Sequence, residues 1–293
     1  MADPGHIRLS EHVTQLRASN GGAFPSGNPL RVDAGGTTVL LDAAIGTDFT
    51  GVDLVLLSHF HEDHVVGVGA SGVPAAVHSS DFAGTRSWDE FRGLVGYPPG
   101  DWEAEMRQEF SWAPISDAQT FEHGATFDVG GSVTITVIGL PGHTAGHCGF
   151  LVEPDGVLFL ADVDLSSFGP FYADRFGSLI DTRSSLDTVA SIDASVYAPY
   201  HHKGPYTDRR AFLDDLAVHA EMLDKREGRL LQLLDDDPSR LEDLVGHGVV
   251  YRPGRRPWFA DLAEGSICGK HLDDLVDRGI VEGPDDGGRY SLS

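Results

Sequence analysis

Three histidines and one aspartate fall within six positions of the chain, in the pattern His59-x-His61-x-Asp63-His64. An apolar run over 52–58 comes before them, which predicts a buried strand that leads into a ligand-rich loop and then a helix. Burying so many polar side chains costs free energy unless a positive charge lies between them. Neutral imidazoles and carboxylates are the usual ligands of divalent metals such as zinc. The spacing therefore predicts a metal site, and the alternative is a solvated histidine-rich turn.

Further candidate ligands occur downstream, each beside a segment that reads as a strand or a loop. His143 lies within the Gly- and His-rich stretch 140–147, and Asp162 follows an apolar run. His201 and His202 follow another apolar run. A set of strands that each end in a potential ligand predicts two packed sheets with the ligands at one edge.

These motifs resemble those of the metallo-β-lactamase superfamily of hydrolases. The first is similar to the H-x-H-x-D-H signature, 140–147 resembles the G-H-T-x-G-H motif, and Asp162 matches the aspartate that follows a strand in that family. Residues 198–204 lie where the family usually has P-G-H-G. The resemblance covers roughly residues 8–205 and is closest to the glyoxalase II-like and lactamase-B2-like hydrolases. It implies an α/β fold, the αββα four-layer sandwich.

The resemblance also implies a dinuclear metal site. Three histidines would hold one ion, Asp63 with two histidines the second, and Asp162 would bridge both. The expected ligands are His59, His61, Asp63, His64, His143, Asp162 and His201, with His202 as the alternative last ligand. Two zinc ions are expected, with iron or manganese as alternatives. The resemblance places Asp42 behind the ligands, where it could orient them, and the alternative is an Asx turn at a strand end. His147 is expected to support the ligands from behind or to be a strand residue.

The implied function is hydrolysis of an ester-like bond (thioester, phosphodiester, lactone or lactam) in a small-molecule substrate. A hydroxide shared by the two metals would attack the substrate, and Asp63 is the candidate catalytic residue that could accept a proton from the attacking water. The alternative keeps the fold but not the reaction: a mononuclear iron persulfide dioxygenase or a binding protein. Cys148 beside His147 suggests a thiol nucleophile, but a buried, inert strand cysteine is the preferred interpretation.

Composition limits the protein class. A chain of 293 residues is long enough for one large domain and a smaller one. No apolar run is long enough to span a membrane, and the first residues do not resemble a signal peptide. The two cysteines, Cys148 and Cys268, are far apart in the chain, which argues against a disulfide framework. These features favour a cytoplasmic protein without a membrane partner.

The net charge of −24 rests mainly on aspartate, and the chain has only three lysines. This pattern favours a protein kept soluble in concentrated salt, where the Debye length falls to about 3 Å at 1 M. The alternative is an ordinary acidic cytoplasmic enzyme. In either case a net negative surface argues against broad nucleic-acid binding.

Thermal stability should therefore rise steeply from low salt to molar KCl, because screening removes repulsion between surface carboxylates. Melting curves across that range test this prediction. Sucrose at equal osmolality is the control, since it leaves charge repulsion unscreened. A flat or falling melting temperature in KCl would reject the halophilic interpretation.

Three regions are predicted along the chain. Residues 1–205 form the hydrolase domain, and 80–120 form a mostly helical, aromatic-rich insertion near the site. The insertion is either a substrate wall or a helical pair that packs its aromatics on the core or on a second subunit. Residues 206–293 form a small helical module whose end, from 267 onward, resembles a winged helix. Its acidic helix and wing suit a structural role, a wall of the substrate site or a homodimer contact better than DNA binding.

Local patterns predict the individual elements of these regions. Strands are expected near 6–17, 29–33 and 37–42, and helices over 184–192, 208–226, 230–234, 239–245 and 267–278.

Overall fold

The computed structural model describes residues 5–252, 254 and 256–293. Its first sheet has seven strands in chain order. They are β1 (Ile7–Arg8), β2 (Val13–Gln15), β3 (Leu30–Ala34), β4 (Thr37–Leu41), β5 (Leu54–Leu57), β6 (Ala75–His78) and β7 (Gln119–Phe121). Strands β1 to β4 pair antiparallel, and β4 to β7 pair parallel. The β-rich segment expected near 6–17 forms two short strands, because the chain turns back at 9–13, where the Leu9 amide donates to the Val13 carbonyl.

The second sheet has five strands in the order β12-β11-β10-β9-β8. They are β8 (Thr126–Gly130), β9 (Val133–Gly139), β10 (Cys148–Glu153), β11 (Val157–Ala161) and β12 (Val196–Pro199). All neighbours pair antiparallel except β11 and β12, which are parallel.

Alternation along the strands divides the core into layers. In β4 and β5, Leu41 and Leu56 face the second sheet, where they join the cluster that contains Phe150. The alternate residues of these strands, such as Leu40, face the other way and pack in the cluster that includes the helices of the 80–120 region. The outer face of the second sheet packs on a third cluster of helices. Helices therefore cover both outer faces of two packed sheets, which confirms the predicted αββα sandwich.

Eight helices are defined in the described part of the chain. They are α1 (Val68–Ser71), α2 (Phe82–Arg86), α3 (Trp88–Val95), α4 (Trp102–Glu109), α5 (Leu179–Ser191), α6 (Arg209–Asp236), α7 (Leu241–Leu244) and α8 (Ala260–Asp277). The two helices predicted over 208–226 and 230–234 form one continuous helix, α6, because no proline interrupts them. Helix α5 begins earlier than predicted, after Ser178, whose side chain caps the helix by accepting from the Asp181 amide.

The helical C-terminal module packs against the second sheet. Its strands β13 (Ser239–Arg240), β14 (Val281–Glu282) and β15 (Arg289–Leu292) form a small sheet in the order β13-β15-β14. In α8, Leu272 and Leu275 are buried, whereas Ile280 beyond the helix is 38% exposed. None of the helices in the described residues is both long and apolar enough to cross a membrane.

Candidate metal centre

The two sheets deliver the candidate ligands to one edge of the sandwich. The segment 59–64 follows β5, the 140–147 loop connects β9 to β10, Asp162 follows β11, and His201 comes shortly after β12. Four strands from two sheets thus supply side chains to the same place, as the sequence pattern predicted. The helix expected directly after 59–64 is delayed to α1, which begins at Val68.

The first cluster contains His59, His61, His143 and Asp162, which offer ligand atoms that lie within 4.8 Å of one another. His143 Nε2 lies 3.2 Å from His59 Nε2 and 2.9 Å from His61 Nδ1. Asp162 Oδ2 lies 3.1 Å from His143 Nε2 and 3.9 Å from His59 Nε2. These atoms surround a position that could hold one metal ion.

The second cluster contains Asp63, His64 and His201. Asp63 Oδ2 lies 3.0 Å from His201 Nε2. The other oxygen of Asp162, Oδ1, lies 2.9 Å from His64 Nε2 and 3.6 Å from His201 Nε2. The two carboxylate oxygens of Asp162 therefore face different clusters.

His202 turns away from both clusters. It belongs to neither group and has a left-handed backbone conformation, with φ of 55°. It lines the cavity in front of the clusters instead. The geometry brings together the seven preferred residues and favours His201 over His202.

The outer nitrogens of His59 and His64 are held by one buried carboxylate, Asp42. His64 Nδ1 lies 2.7 Å from Asp42 Oδ2 and donates to it. His59 Nδ1 donates to Ser58 Oγ over 3.0 Å, and Ser58 Oγ donates to Asp42 Oδ2 over 2.6 Å. Asp42 has φ of 62° at the end of β4. This arrangement orients two rings at once, which is the role that the sequence suggested for Asp42.

Two other histidines are oriented by main-chain oxygens. His143 Nδ1 donates to the Phe171 carbonyl over 2.8 Å, and His201 Nδ1 donates to the Gly22 carbonyl over 2.9 Å. With a proton on each outer nitrogen, the inner nitrogens present their lone pairs to the clusters.

His147 supports Asp162 from behind. Its Nδ1 donates to the Leu140 carbonyl over 2.8 Å, and its Nε2 accepts from the Asp162 amide over 3.2 Å. Burial, and then the neighbouring His143, lower the pKa of His147 to about 3. It is therefore neutral and able to accept that hydrogen bond.

The two clusters fit divalent cations. His64 Nε2 and Asp162 Oδ1 are buried and make no hydrogen bond although they lie 2.9 Å apart. Lone pairs that converge in this way repel each other unless a positive charge lies between them. A set of imidazole nitrogens and carboxylate oxygens without thiolate suits zinc best.

The pKa values of the cluster residues are shifted by the neighbouring charges. Burial raises the pKa of Asp162, but the His64 and His143 imidazoles outweigh burial and hold that pKa well below its usual range. Burial lowers the pKa of His61, but Asp174 outweighs this effect and raises the pKa to about 9. The carboxylates of the site therefore favour positive charge in the clusters.

Asp174 was not predicted from the sequence. It lies 113 positions after His61, and its Oδ2 accepts from His61 Nε2 over 2.7 Å. Asp174 is in turn held by the C-terminal module, because Lys270 Nζ on α8 donates to the Asp174 carbonyl over 3.1 Å. A lone aspartate in a loop carries no local pattern that marks it as a partner of a distant histidine.

Two further residues near the site were also missed. The Tyr200 ring stacks on His64 with centroids 3.9 Å apart, and its hydroxyl donates to the Asp63 carbonyl over 2.6 Å. Asp81 accepts from Thr144 Oγ1 over 2.5 Å and from the Gly146 amide over 2.7 Å, which fixes the loop that carries His143. Burial raises the pKa of Asp81 to about 6, even though these hydrogen bonds oppose the rise.

Replacing Asp174 with asparagine should weaken metal binding, since a neutral amide no longer holds the Nδ1-ligating form of His61 as strongly. A loss of about 10–100-fold in affinity is expected from removal of such an outer partner. Competition with a chromogenic chelator measures the change. Asp164→Asn is the matched control, because Asp164 lines the same cavity but contacts His219 rather than a candidate ligand. Equal affinities for both variants would rule out this role for Asp174.

A cavity of about 340 Å³ opens in front of the clusters. His61, Asp63, His143, Asp162 and His201 form its floor. Both predicted regions contribute walls: Tyr97 and Trp102 come from the 80–120 insertion, and Trp258 and Phe259 come from the C-terminal module. The insertion satisfies both of its alternatives, since Phe91 lines the cavity and also packs in the core, where Trp112 is buried as well.

Two facing sheets with outer helices and paired His/Asp clusters at one edge define a class of metal-binding sandwich proteins. Residues 82–202 match the Lactamase_B family model, described as the metallo-beta-lactamase superfamily. The matched superfamily is the one that the sequence motifs resemble.

Known proteins of similar sequence carry lactamase-like names. The chain is 25% identical over 223 residues to "Lactamase-like protein nscB" of Trichophyton equinum, covering 69% of this chain and 58% of that protein. It is 31% identical over 167 residues to "N-acyl homoserine lactonase AttM" of Agrobacterium fabrum, covering 54% of this chain and 58% of that protein. The chain thus spans less than two thirds of the length of these two relatives.

Solved structures share the fold over nearly the whole chain. The metallo-beta-lactamase family protein TTHA1429 of Thermus thermophilus superposes with a TM-score of 0.73 at 24% identity, covering 98% of this chain and all of that one. A beta-lactamase domain protein of Burkholderia ambifaria gives a TM-score of 0.71 at 17% identity, covering 100% of this chain and 96% of that one. The shared architecture therefore includes the C-terminal module.

Proposed function

We propose that this protein is a metal-dependent hydrolase that cleaves an ester-like bond in a small molecule and binds two divalent ions, zinc in the first place. The position of Asp162 carries the proposal. Its two oxygens face two clusters, and each cluster supplies three further groups. A mononuclear iron site would use Asp162 as a ligand of one ion and would leave Asp63, His64 and His201 without a metal, so the second cluster favours the dinuclear hydrolase over the dioxygenase.

When bound, two such ions would supply Lewis acidity and lower the pKa of water from 15.7 to about 7. The protein's own groups do the rest. Asp63 is the residue proposed to orient the attacking water and accept its proton. The support is that Asp63 Oδ2 faces the second cluster, 3.0 Å from His201 Nε2. Burial raises the pKa of Asp63, but His64 and His201 outweigh burial and keep that pKa below its usual value. Asp63 is therefore ionised near neutral pH.

The relatives support a hydrolase but leave the bond open. AttM is named as a lactonase, and a lactone is one of the ester-like substrates that such a site could cleave. The cavity lies at the lower end of the roughly 300–1,000 Å³ typical of small-molecule sites, which suits a small substrate better than a polymer.

An activity screen on zinc-loaded protein tests the proposal. Thioesters, phosphodiesters, lactones and nitrocefin are offered with and without a chelator. Hydrolysis of at least one class that the chelator abolishes and zinc restores is the expected result. No metal-dependent hydrolysis of any class would refute the proposed function.

The neighbouring residues His201 and His202 offer a matched pair of variants. His201→Ala should lower kcat/KM by more than about 100-fold, since even outer partners of metal ligands contribute about 10–100-fold. His202→Ala should have a much smaller effect, because His202 joins neither cluster. Steady-state kinetics with the best substrate of the screen measure both, and a reversed order would assign the last ligand to His202.

A further inference from the structure

The cavity wall is mainly aromatic and comes from regions far apart in the chain. At the mouth, the Trp102 and Trp258 rings stack with centroids 5.0 Å apart and planes 21° apart. Tyr97 stacks on Phe259 with planes 19° apart. Trp258 is 50% exposed, so this apolar surface is open to a ligand. Flat rings at the mouth provide stacking surfaces for a planar apolar group.

Aromatic residues also continue inward to the candidate ligands. The Phe171 ring centroid lies 5.9 Å from that of His143, and the Phe24 ring centroid lies 6.5 Å from that of His201. Phe110 packs beside Phe24 at 6.1 Å. An apolar surface therefore runs from the metal clusters to the solvent.

The charged residues on this wall are acidic. Besides the candidate ligands, the carboxylates that line the cavity are Glu62, Glu105, Glu109, Asp164 and Asp174. Among the residues that the structure describes, no lysine or arginine lines it. Glu105 and Glu109 lie on the exposed side of α4, one turn apart, beside the aromatic mouth. A substrate with a carboxylate or phosphate far from its scissile bond would meet like charges there, and none of the described lining residues is a lysine or arginine that could pair with it.

We infer that the substrate is a neutral ester or lactone with an aromatic or other flat apolar group, and that the site discriminates against substrates with a remote anionic group. The inference rests on the proposed hydrolase function. It places the scissile bond at the clusters and the apolar group against the aromatic mouth that Trp102, Trp258 and Tyr97 form. Glu105 and Glu109 repel substrates that carry a carboxylate or phosphate far from the scissile bond.

Three chromogenic esters test the inference with the zinc-loaded, full-length protein. They are the 4-nitrophenyl esters of 3-phenylpropanoate, of 3-(4-carboxyphenyl)propanoate and of acetate. The kcat/KM of the neutral phenyl ester should exceed that of its carboxylated analogue by at least about tenfold, because the cavity carboxylates repel the added carboxylate. Equal or faster turnover of the carboxylated ester would overturn the inference.

Two double variants separate local charge from total charge. Glu105→Lys with Glu109→Lys should raise kcat/KM for the carboxylated ester relative to kcat/KM for the neutral phenyl ester. Asp235→Lys with Asp286→Lys changes the net charge equally at exposed positions outside the cavity, and should not improve the carboxylated ester. An equal gain from both would show that the effect is global and would refute a local role for the cavity acids.

The aromatic mouth has its own readout. Trp258→Ala should raise KM for the phenylpropanoyl ester by about fivefold or more, since a stacked aromatic contact contributes about 0.5–1.5 kcal/mol beyond the area it buries. Loss of kcat for this ester without a rise in KM would contradict a binding role.

Unreactive amides keep the inference separate from the proposed function. Calorimetry with 3-phenylpropanamide and its 4-carboxyphenyl analogue measures binding without hydrolysis. Tighter binding of the neutral amide with no ester hydrolysis would uphold the cavity's selectivity and reject the hydrolase. Ester hydrolysis together with tighter binding of the carboxylated amide would support the hydrolase and reject the cavity's selectivity.

Discussion

Replacing Asp162 with alanine is expected to abolish activity and to leave the protein unable to hold two metal ions. Asp162 presents Oδ2 to His143 and Oδ1 to His64 at 3.1 Å and 2.9 Å, so one substitution removes a ligand from both clusters. The loss in kcat/KM should exceed about 100-fold, because even outer-shell partners contribute about 10–100-fold to metal affinity or activity. Metal analysis and steady-state kinetics on the same preparation measure both effects.

Asp164→Ala is the control for that variant. Asp164 lies two positions on and also lines the cavity, but it faces His219 instead of the candidate ligands. It should keep two metals and most of the activity. An Asp162→Ala protein that binds two metal ions and keeps full activity would contradict the assignment of a dinuclear centre.

Removal of residues 206–293 is expected to give an insoluble or unfolded fragment. The outer face of the second sheet and the C-terminal helices share one buried cluster. Tyr197 on β12 stacks on Phe212 of α6 with ring centroids 3.8 Å apart. Fully burying a large apolar side chain contributes about 1.5–3 kcal/mol, and a whole domain is stable by only about 5–15 kcal/mol. Exposing several such side chains at once therefore exceeds the available stability.

A point substitution tests the same contact without deleting chain. Phe212→Ala should lower the free energy of unfolding by about 3–5 kcal/mol, the usual cost of truncating a buried phenylalanine. Val218→Ala on the same helix is the control, because Val218 is 47% exposed and such surface changes usually stay within about 0.5 kcal/mol. Denaturant unfolding measures both. A soluble, active fragment 1–205 would show instead that the module is an independent domain.

Local patterns in the sequence indicated a metal site, because residues 59–64 are close in the chain and follow an apolar run. They also placed Asp162 and His201 after apolar runs, which the structure shows as β11 and β12. The complete set of candidate ligands and the αββα packing of the sheets came from the family resemblance, since strand patterns alone do not determine how sheets pack.

Contacts between distant segments could not be predicted in the same way. Asp174 meets His61 only because the 140–178 region folds back over the site and α8 holds it through Lys270. Tyr97 and Trp258 are far apart in the chain, yet their ring centroids lie 5.3 Å apart at the cavity mouth. Nothing in either local sequence marks such a partner, since aromatics at helical spacing are more often core than binding surface.

Helix lengths were missed for a related reason. Tertiary packing decides whether two helical patterns merge, and Leu223 and Leu230 lie in the same buried cluster as the second sheet. That continuous burial keeps α6 helical across Gly228, where glycine alone would disfavour a helix by about 1 kcal/mol relative to alanine.

The metal content of the purified protein tests the central claim most directly. Full-length protein is equilibrated with zinc, freed of unbound ions by gel filtration and measured by plasma mass spectrometry. Two zinc ions per chain for the native protein, together with fewer than two for Asp162→Ala, is the predicted result. One ion per chain, or two ions that persist in Asp162→Ala, would contradict a dinuclear centre bridged by Asp162.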